Sequence, residues 1–224
     1  NNGIDDVIVS FPAGSGPDSN GGTYISRNQD PLTLLDTRTA EQIVVGDFDG
    51  GGQTDLLLDF GTDGLWVALN DTAAVLLTPL SPITLATGDI DNNGQDDMAL
   101  SFDGIGTLSL INFGPVIFYD SSVAEALEIA DVDNNGEGDV IASFPAGSGP
   151  SGAGGIYFAR NQGALNFFAD SPAEQIVGGD FDGNGQTDLL FDLGIDGMWA
   201  WGNDTSASLI TLPSPRAIAV GDLD

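Results

Sequence analysis

A ten-residue segment rich in aspartate recurs along the chain at nearly constant spacing, and this period limits the possible folds more than any other feature. The segment reads "GDFDGNGQTD" at residues 179–188 and "GDIDNNGQDD" at residues 88–97. Its first aspartate recurs at intervals of 42, 42, 49 and 42 residues, at Asp47, Asp89, Asp131, Asp180 and Asp222. A repeat of this length is one supersecondary unit that buries its apolar face only against neighbouring copies. The sequence therefore predicts a repeat protein.

The intervals divide the chain into five repeats. The first residues, "NNGIDD", form the second half of another copy, and the terminal "GDLD" forms its first half. Residues 11–29 closely resemble residues 144–162, and residues 55–72 resemble residues 188–205, so the repeat types follow the order A-B-C-A-B. We predict one domain over 1–224, with repeats at 1–49, 50–91, 92–133, 134–182 and 183–224.

Each repeat has the texture of short strands. "DVIVSF", "GTYIS", "LTLLD" and "EQIVVGD" are β-branched and aromatic runs, bounded by Gly, Pro, Asn and Ser. Residues 121–131 are the one stretch that could compete as a helix, but their alignment with the other repeats favours a strand. Four strands in this length are typical of a propeller blade. We predict an all-β propeller of five four-stranded blades, with the last blade shared between the two chain ends. A β-solenoid, a larger propeller and a tandem array are the alternatives.

The charge of the chain excludes several partners and reactions. Thirty-four acidic residues face four arginines, with no lysine, histidine or cysteine, and the formal net charge is −30. Nucleic acid and anionic membranes would be repelled by such a chain. The usual nucleophiles that depend on His, Cys or Lys cannot be assembled. We therefore expect no enzyme and no nucleic-acid partner. We also expect no membrane insertion, because no apolar run reaches about 18 residues.

The repeated segment has the chemistry of a hard-cation loop. Its pattern is Asp-x-Asp-x-Asn-Gly-x-x-Asp, numbered below as motif positions 1 to 9. Side-chain oxygens at positions 1, 3, 5 and 9 and a backbone carbonyl at position 7 form an all-oxygen set, which suits Ca²⁺. Such clusters also form good turns without a metal. Four complete copies with the same three aspartates favour the metal. A strand follows each loop, whereas EF-hand and dockerin loops lie beside helices.

The segment "GDFDGNGQTDLLFDLG" resembles the FG-GAP/VCBS repeat, the integrin-α type of propeller blade, along all five repeats. The resemblance implies a Ca²⁺-carrying loop between the first two strands of each blade, about one ion per blade. It implies these ligands: Asp47, Asp49, Gly51, Gln53, Asp55; Asp89, Asp91, Asn93, Gln95, Asp97; Asp131, Asp133, Asn135, Glu137, Asp139; Asp180, Asp182, Asn184, Gln186, Asp188; and Asp222, Asp224, Asn2, Ile4, Asp6 in the split copy. Because Gly51 offers no side-chain oxygen, the first of these loops is expected to bind most weakly.

These features predict an extracellular calcium-binding scaffold for cell-surface adhesion or structural assembly. Extracellular calcium modules bind with dissociation constants of about 10⁻⁴ to 10⁻³ M, so such sites would be empty in cytosol. The expected partners are a protein or glycan ligand on a cell surface or matrix, or neighbouring copies of the chain. One alternative is a lectin, in which Trp66, Trp199 or Trp201 stacks on sugar. A second is a filament-forming subunit, in which the terminal strand pairs with the next copy.

Overall fold

The computed structural model of the protein describes residues 6–202, 206–218 and 220. These residues form antiparallel sheets in which each strand pairs with the next along the chain. The only helices among them are two single 3₁₀ turns, at Gly61–Asp63 and Gly194–Asp196. No helix in this part of the chain has the length and apolarity needed to cross a membrane. The chain divides into two compact units, Asn1–Ser81 and Pro82–Asp224.

The first unit contains a three-stranded and a four-stranded sheet. The strands of the first sheet are β1 (Val7–Phe11), β2 (Gly22–Ser26) and β3 (Thr33–Asp36). The strands of the second are β4 (Gln42–Gly46), β5 (Asp55–Asp59), β6 (Leu65–Ala68) and β7 (Val75–Thr78). All four strands predicted from the first repeat are therefore present, from β1 to β4.

The second unit contains three four-stranded sheets. The first comprises β8 (Thr84–Gly88), β9 (Asp97–Phe102), β10 (Gly106–Leu110) and β11 (Val116–Asp120). The next comprises β12 (Ala126–Ala130), β13 (Asp139–Phe144), β14 (Gly155–Ala159) and β15 (Asn166–Ala169). The third comprises β16 (Gln175–Gly179), β17 (Asp188–Asp192), β18 (Met198–Gly202) and β19 (Ser206–Thr211). The stretch 121–131 contains strand β12 and no helix, as predicted.

Apolar side chains between neighbouring sheets form the core. In the second unit, one cluster joins Ile90 and Ala99 to Val140 and other side chains of the β12–β15 sheet. A second cluster joins Ile141 to Leu189 in the β16–β19 sheet. Strand β12 lies beside both β8 and β16, so the first strands of the three sheets are neighbours. This arrangement buries both faces of the middle sheet.

The all-β prediction is confirmed, and four of the five sheets have the four predicted strands. The sheet β1–β3 has three strands among the described residues. A blade shared between the two chain ends takes its fourth strand from the C-terminal "PRAIAVGD" at 215–222. Residues 215–218 and 220 are not in a strand, and 219 and 221–222 lie outside the described residues. Sharing of one blade between the chain ends therefore stays a prediction.

Candidate metal centres

Four loops each bring three carboxylates together. Each loop joins the first and second strands of a sheet, and one carboxylate oxygen from each of its three aspartates lies within 4.8 Å of the others. The groups are Asp47, Asp49 and Asp55; Asp89, Asp91 and Asp97; Asp131, Asp133 and Asp139; and Asp180, Asp182 and Asp188. They correspond to motif positions 1, 3 and 9. The structure thus assembles every predicted aspartate of the four complete copies into a group that could hold a metal ion.

The aspartate at position 9 fixes the loop to the sheet. It is the first residue of the second strand and is almost fully buried in each loop, at 1% exposure for Asp97 and 0% for Asp139. The Oδ2 atom of Asp97 accepts the backbone N–H of Ile90 at 3.0 Å. Ile90, at position 2, is itself fully buried and packs in the core cluster. The buried side chains of Ile90 and Asp97 therefore anchor the loop near its start and at its end.

Positions 1, 5 and 6 close the tight turn of each loop. In the second loop, Oδ2 of Asp89 accepts the N–H of Gly94 at 2.8 Å, and Oδ1 accepts the N–H of Asn93 at 3.0 Å. Gly94 has φ 86°, a conformation that side chains other than Asn and Asp rarely adopt. The Oδ1 atom of Asn93 accepts the N–H of Gln95 at 2.7 Å. These bonds aim the side chains at positions 1 and 5 into the loop.

An asparagine outside the motif completes each of three loops. The side-chain amide of Asn112 donates to Oδ2 of Asp91 at 2.8 Å and accepts from Asn93 at 2.8 Å. Its backbone N–H donates to Oδ1 of Asp97 at 2.8 Å. Asn70 in the first loop and Asn161 in the third do the same: the backbone N–H of each donates to the position-9 aspartate, and the side-chain amide donates to the position-3 aspartate. Asn161 also accepts a hydrogen bond from Asn135, the position-5 asparagine of the third loop.

These asparagines were not predicted, although the sequence holds their signal. Asparagine recurs at 28, 70, 112, 161 and 203, with the same intervals of 42, 42, 49 and 42 residues as the metal motif. Asn28, Asn70, Asn112 and Asn161 all have positive φ, between 49° and 53°. Asparagine is one of the few residues that tolerate this conformation while keeping a polar side chain. The position therefore requires both the backbone shape and the amide.

Each loop concentrates three carboxylates, and the Arg160 charge acts on one of them, Asp139. The Oδ1 atoms of Asp91 and Asp133 are buried and have no hydrogen-bond partner among the described residues. The ion pairs Arg27–Asp71 and Arg38–Asp36 lie outside the four aspartate groups. Two carboxylates within 4.8 Å repel by about 1 to 3 kcal/mol at effective dielectric constants of 80 to 20. Each loop is therefore electrostatically strained without a cation.

Burial also raises the pKa of two of the position-9 aspartates, Asp97 and Asp139. Burial first, and then the charges of Asp91 and Asp89, raise the pKa of Asp97, while N–H donors from Asn112 and Ile90 lower it. The pKa of Asp139 is raised to about 6, chiefly by burial and to a smaller extent by the Asp133 carboxylate, against the lowering effects of the Asn161 N–H and the Arg160 charge. Burial thus favours the protonated form of Asp97 and Asp139 when no cation is bound.

The donor set fits a hard divalent cation. It contains only oxygen, includes three carboxylates per loop, and leaves buried carboxylate oxygens aimed inward. Zinc would favour nitrogen or sulfur ligands, and the chain has no His or Cys. The first loop lacks a side-chain ligand at Gly51, as predicted. In the fourth loop Asp180 and Asp182 are exposed, and Phe181 at position 2 is 39% exposed.

The split copy lies mostly outside the described residues. Asn2, Ile4, Asp222 and Asp224 are outside them, and only Asp6 is described. Asp6 is exposed, and its Oδ1 accepts the N–H of Asn28 at 3.2 Å. This contact matches the one from Asn112 to Asp97, because Asp6 holds position 9 of the split copy. A fifth metal loop remains a prediction.

The three tryptophans have different environments. Trp201 is 5% exposed and packs against Phe158 and Phe168, so it is a core residue and does not offer a face to sugar. Trp66 is partly buried, and the Arg38 guanidinium carbon lies 3.8 Å from its ring centroid. Trp199 is partly buried, and its indole N–H donates to the carbonyl of Asp196 at 2.9 Å. Trp66 and Trp199 thus differ, among the described residues, in that an arginine lies over the ring of Trp66 alone.

No family model matches the chain, and no curated protein matches it. Solved structures of similar fold exist. The chain is 18% identical, with a TM-score of 0.58, to an Agrocybe aegerita lectin that recognises non-reducing terminal N-acetylglucosamine; the match covers 90% of this chain and 61% of that one. It is 14% identical, with a TM-score of 0.51, to the V. cholerae biofilm matrix protein Bap1, covering 90% of this chain and 38% of that one.

A third similar structure is BBS1N in its complex with ARL6DN, which is 13% identical with a TM-score of 0.50. That match covers 78% of this chain and 55% of the other. The chain thus spans less than two thirds of each of the three proteins. At these identities the likeness concerns the fold alone, and it supports an all-β, propeller-like architecture.

Proposed function

We propose that the chain is an extracellular calcium-binding repeat scaffold of the FG-GAP/VCBS type, serving cell-surface adhesion or structural assembly. The observation that carries the proposal is the recurrence of one strained carboxylate group in four loops, with buried oxygens that lack a protein partner in two of them. A site repeated once per sheet stabilises every sheet, whereas a catalytic site is usually unique. We therefore propose a structural ion and no enzymatic activity.

Calcium suits these loops better than magnesium. Ca²⁺ accepts six to eight oxygens at irregular angles, whereas Mg²⁺ requires near-ideal octahedral geometry. The loop oxygens come from a compact turn that is held by its own backbone hydrogen bonds. An ion with flexible coordination can use them without rebuilding the turn.

The extracellular setting follows from the expected affinity and agrees with one structural neighbour. Calcium modules of the extracellular class bind at about 10⁻⁴ to 10⁻³ M, which matches calcium levels outside cells. Bap1 is a biofilm matrix protein, and a scaffold role of that kind suits a rigid repeat array. The partner is then a protein or glycan of a surface or matrix, or another copy of the chain.

Thermal melting in calcium and in chelator tests the proposal. At 10 mM Ca²⁺, each loop with a dissociation constant of about 10⁻⁴ to 10⁻³ M adds about 1 to 3 kcal/mol to the free energy of unfolding. For a chain of this size, four loops raise the melting temperature by at least about 10 °C. The same concentration of Mg²⁺ should give a much smaller rise. An unchanged melting temperature in chelator would remove the metal-scaffold proposal.

One variant makes the test sharper, because its effect reverses sign. Asp91→Asn removes one of three close charges, so in chelator the variant should be more stable than the native protein by about 1 kcal/mol. In calcium it loses a charged ligand and should be less stable. Asp103→Asn is the matched control, since Asp103 is an exposed residue outside the loops. Equal effects of the two variants in both conditions would contradict the proposal.

Two observations support the lectin alternative: the environment of Trp199 and the similarity in fold to a lectin. Trp199 is partly buried with no arginine over its ring among the described residues, and the Agrocybe aegerita lectin shares the fold. A glycan array tests this alternative, with Trp199→Ala as the variant that should lose any binding and Trp66→Ala as its control. The filament alternative depends on the chain ends, and light scattering across a concentration series tests it.

A further inference from the structure

The two B-type repeats differ in what covers an equivalent tryptophan. In the first, the Arg38 guanidinium lies 3.8 Å from the centroid of Trp66 and 4.0 Å from that of Phe60. Asp36 holds this guanidinium through two hydrogen bonds, at 3.0 Å and 2.7 Å. The Asp36 hydrogen bonds, and to a smaller extent the Asp63 charge, raise the pKa of Arg38. The ring face of Trp66 is thus a filled arginine site.

Trp199 occupies the same place in the last sheet. It lies 133 residues after Trp66 in the aligned repeat, near the start of β18 as Trp66 is near the start of β6. Both indole N–H groups donate to the carbonyl three residues earlier, at 2.7 Å to Asp63 and 2.9 Å to Asp196. The two rings therefore have the same anchor.

The side chains that fill the first site are replaced in the second. Ser171 stands where the first repeat has Arg38, and Ala169 stands where it has Asp36. Among the described residues, Trp199 has no contact with another aromatic ring or with an arginine. The anionic residue before the ring is kept, because Asp196 corresponds to Asp63. The site at Trp199 therefore has the indole ring and the carboxylate of Asp196, but no arginine in the place of Arg38.

The surroundings of Trp199 are also more apolar than those of Trp66. Ile195, 94% exposed, replaces Thr62, and Leu212, 59% exposed, replaces Pro79. Leu212 lies directly over Gly197, where its Cδ2 is 2.5 Å from the position a β-carbon would take. Together, Ile195, Trp199, Leu212 and the exposed Asp196 define what we call the Trp199 surface.

We propose that the Trp199 surface binds an arginine side chain from a basic segment of a partner protein. The first B repeat shows which group this site accepts, since there the chain itself supplies a guanidinium. Guanidinium groups stack on indole faces and pair with carboxylates. A net charge of −30 attracts a cationic segment, and Ile195 and Leu212 offer apolar contacts to the residues beside the arginine. The inference is independent of the metal loops.

Peptide binding tests the inference. The probe is a fluorescein-labelled hexapeptide, Gly-Leu-Arg-Leu-Arg-Gly, measured by fluorescence anisotropy at physiological salt in calcium and again in chelator. The reference probe carries citrulline in place of both arginines, which keeps the shape and removes the charge. We expect the arginine peptide to bind more tightly than the citrulline peptide. Trp199→Ala should weaken its binding about fivefold, and Trp66→Ala should leave it unchanged.

Comparison of the two B repeats suggests two further variants that leave both tryptophans in place. Ser171→Arg combined with Ala169→Asp copies the Arg38–Asp36 pair into the second site and should abolish binding by filling it. Arg38→Ser should uncover Trp66 and add a second equivalent of bound peptide. Melting curves confirm that each variant is folded.

Four outcomes would overturn the inference. Equal binding by the citrulline peptide would show simple apolar contact. Unchanged binding by Trp199→Ala would show unspecific attraction to the acidic chain. A neutral oligosaccharide that binds at Trp199 while the peptide does not would assign the surface to sugar. Self-association that Trp199→Ala abolishes, without peptide binding, would assign it to a second copy. None of these results changes the calcium melting experiment, so the two proposals fail separately.

Discussion

Replacing Asn112 with glycine separates the role of its side chain from that of its backbone. Asn112 has φ 49°, and glycine adopts this conformation without strain while keeping the N–H that donates to Asp97. The variant loses only the amide, which donates to Asp91 at 2.8 Å and accepts from Asn93 at 2.8 Å. The change therefore tests whether an asparagine outside the motif prepares the second loop for its ion.

The expected cost has two parts. A hydrogen bond to a charged group contributes about 1.5 to 3 kcal/mol and a neutral one about 0.5 to 1.5 kcal/mol, with water replacing part of each at this partly exposed site. We expect Asn112→Gly to lower the free energy of unfolding in chelator by about 2 kcal/mol, or roughly 4 to 8 °C in melting temperature. Because the amide holds Asp91 by Oδ2 and leaves Oδ1 aimed inward, its loss should also weaken calcium binding about tenfold.

Urea unfolding in chelator measures the first part, and calcium titration by calorimetry measures the second. Asn92→Gly is the matched control, because Asn92 also has positive φ, at 56°, and lies in the same loop. The control should change stability by less than about 0.5 kcal/mol and leave calcium affinity intact. If the two variants behave alike in both assays, Asn112 does not position Asp91, and the role given to the repeated asparagine is wrong.

Two further predictions concern the first loop and a buried carboxylate. Gly51→Asn should tighten calcium binding in the first loop by adding the missing side-chain oxygen at position 5. A β-carbon at Gly51 would lie 3.5 Å from Oδ1 of Asn70, where Asn93 contacts Asn112 in the second loop, and 2.7 Å from Oδ1 of Asp49, so the Asp49 side chain must shift to admit it; calorimetry on the variant checks this. Burial raises the pKa of Glu128 from 4.5 to about 7, so native stability falls as pH rises from about 4.5 through 7. Glu128→Gln keeps the acceptor for the Gly178 N–H, and its stability advantage should grow by about 2 kcal/mol between pH 5 and pH 8, measured by urea unfolding.

Local sequence signals were sufficient for the strands and the loops. The period of the motif placed the aspartates at equivalent turns, and the buried Asp55, Asp97, Asp139 and Asp188 each begin a strand as the motif requires. Strand β12 could be predicted because its alignment with other repeats outweighed its helix-like composition. In both cases comparison between repeats predicted a structure that one repeat alone would not have.

Contacts between distant segments could not be predicted in the same way. Asn112 reaches Asp91 across 21 residues, and although the recurrence of the asparagine is visible in the sequence, the aspartate that it contacts is not. Arg38 lies in the segment between β3 and β4 and Trp66 lies in β6, so their stacking depends on how that segment packs against the second sheet. Trp199 and Trp201 looked equivalent in the sequence, yet only Trp201 enters the core between β14 and β18. The contact partners in each case follow from how the chain folds and packs, which the spacing of the repeats does not give.

A direct count of bound calcium tests the central claim. Equilibrium dialysis followed by elemental analysis gives the number of ions per chain, for the native protein and for Asp47→Asn, Asp89→Asn, Asp131→Asn and Asp180→Asn separately. The native chain should retain at least four calcium ions, one for each described group, and each variant should retain one fewer. A native chain that retains no calcium, or a count that none of the four substitutions changes, would contradict the claim that these loops are calcium sites.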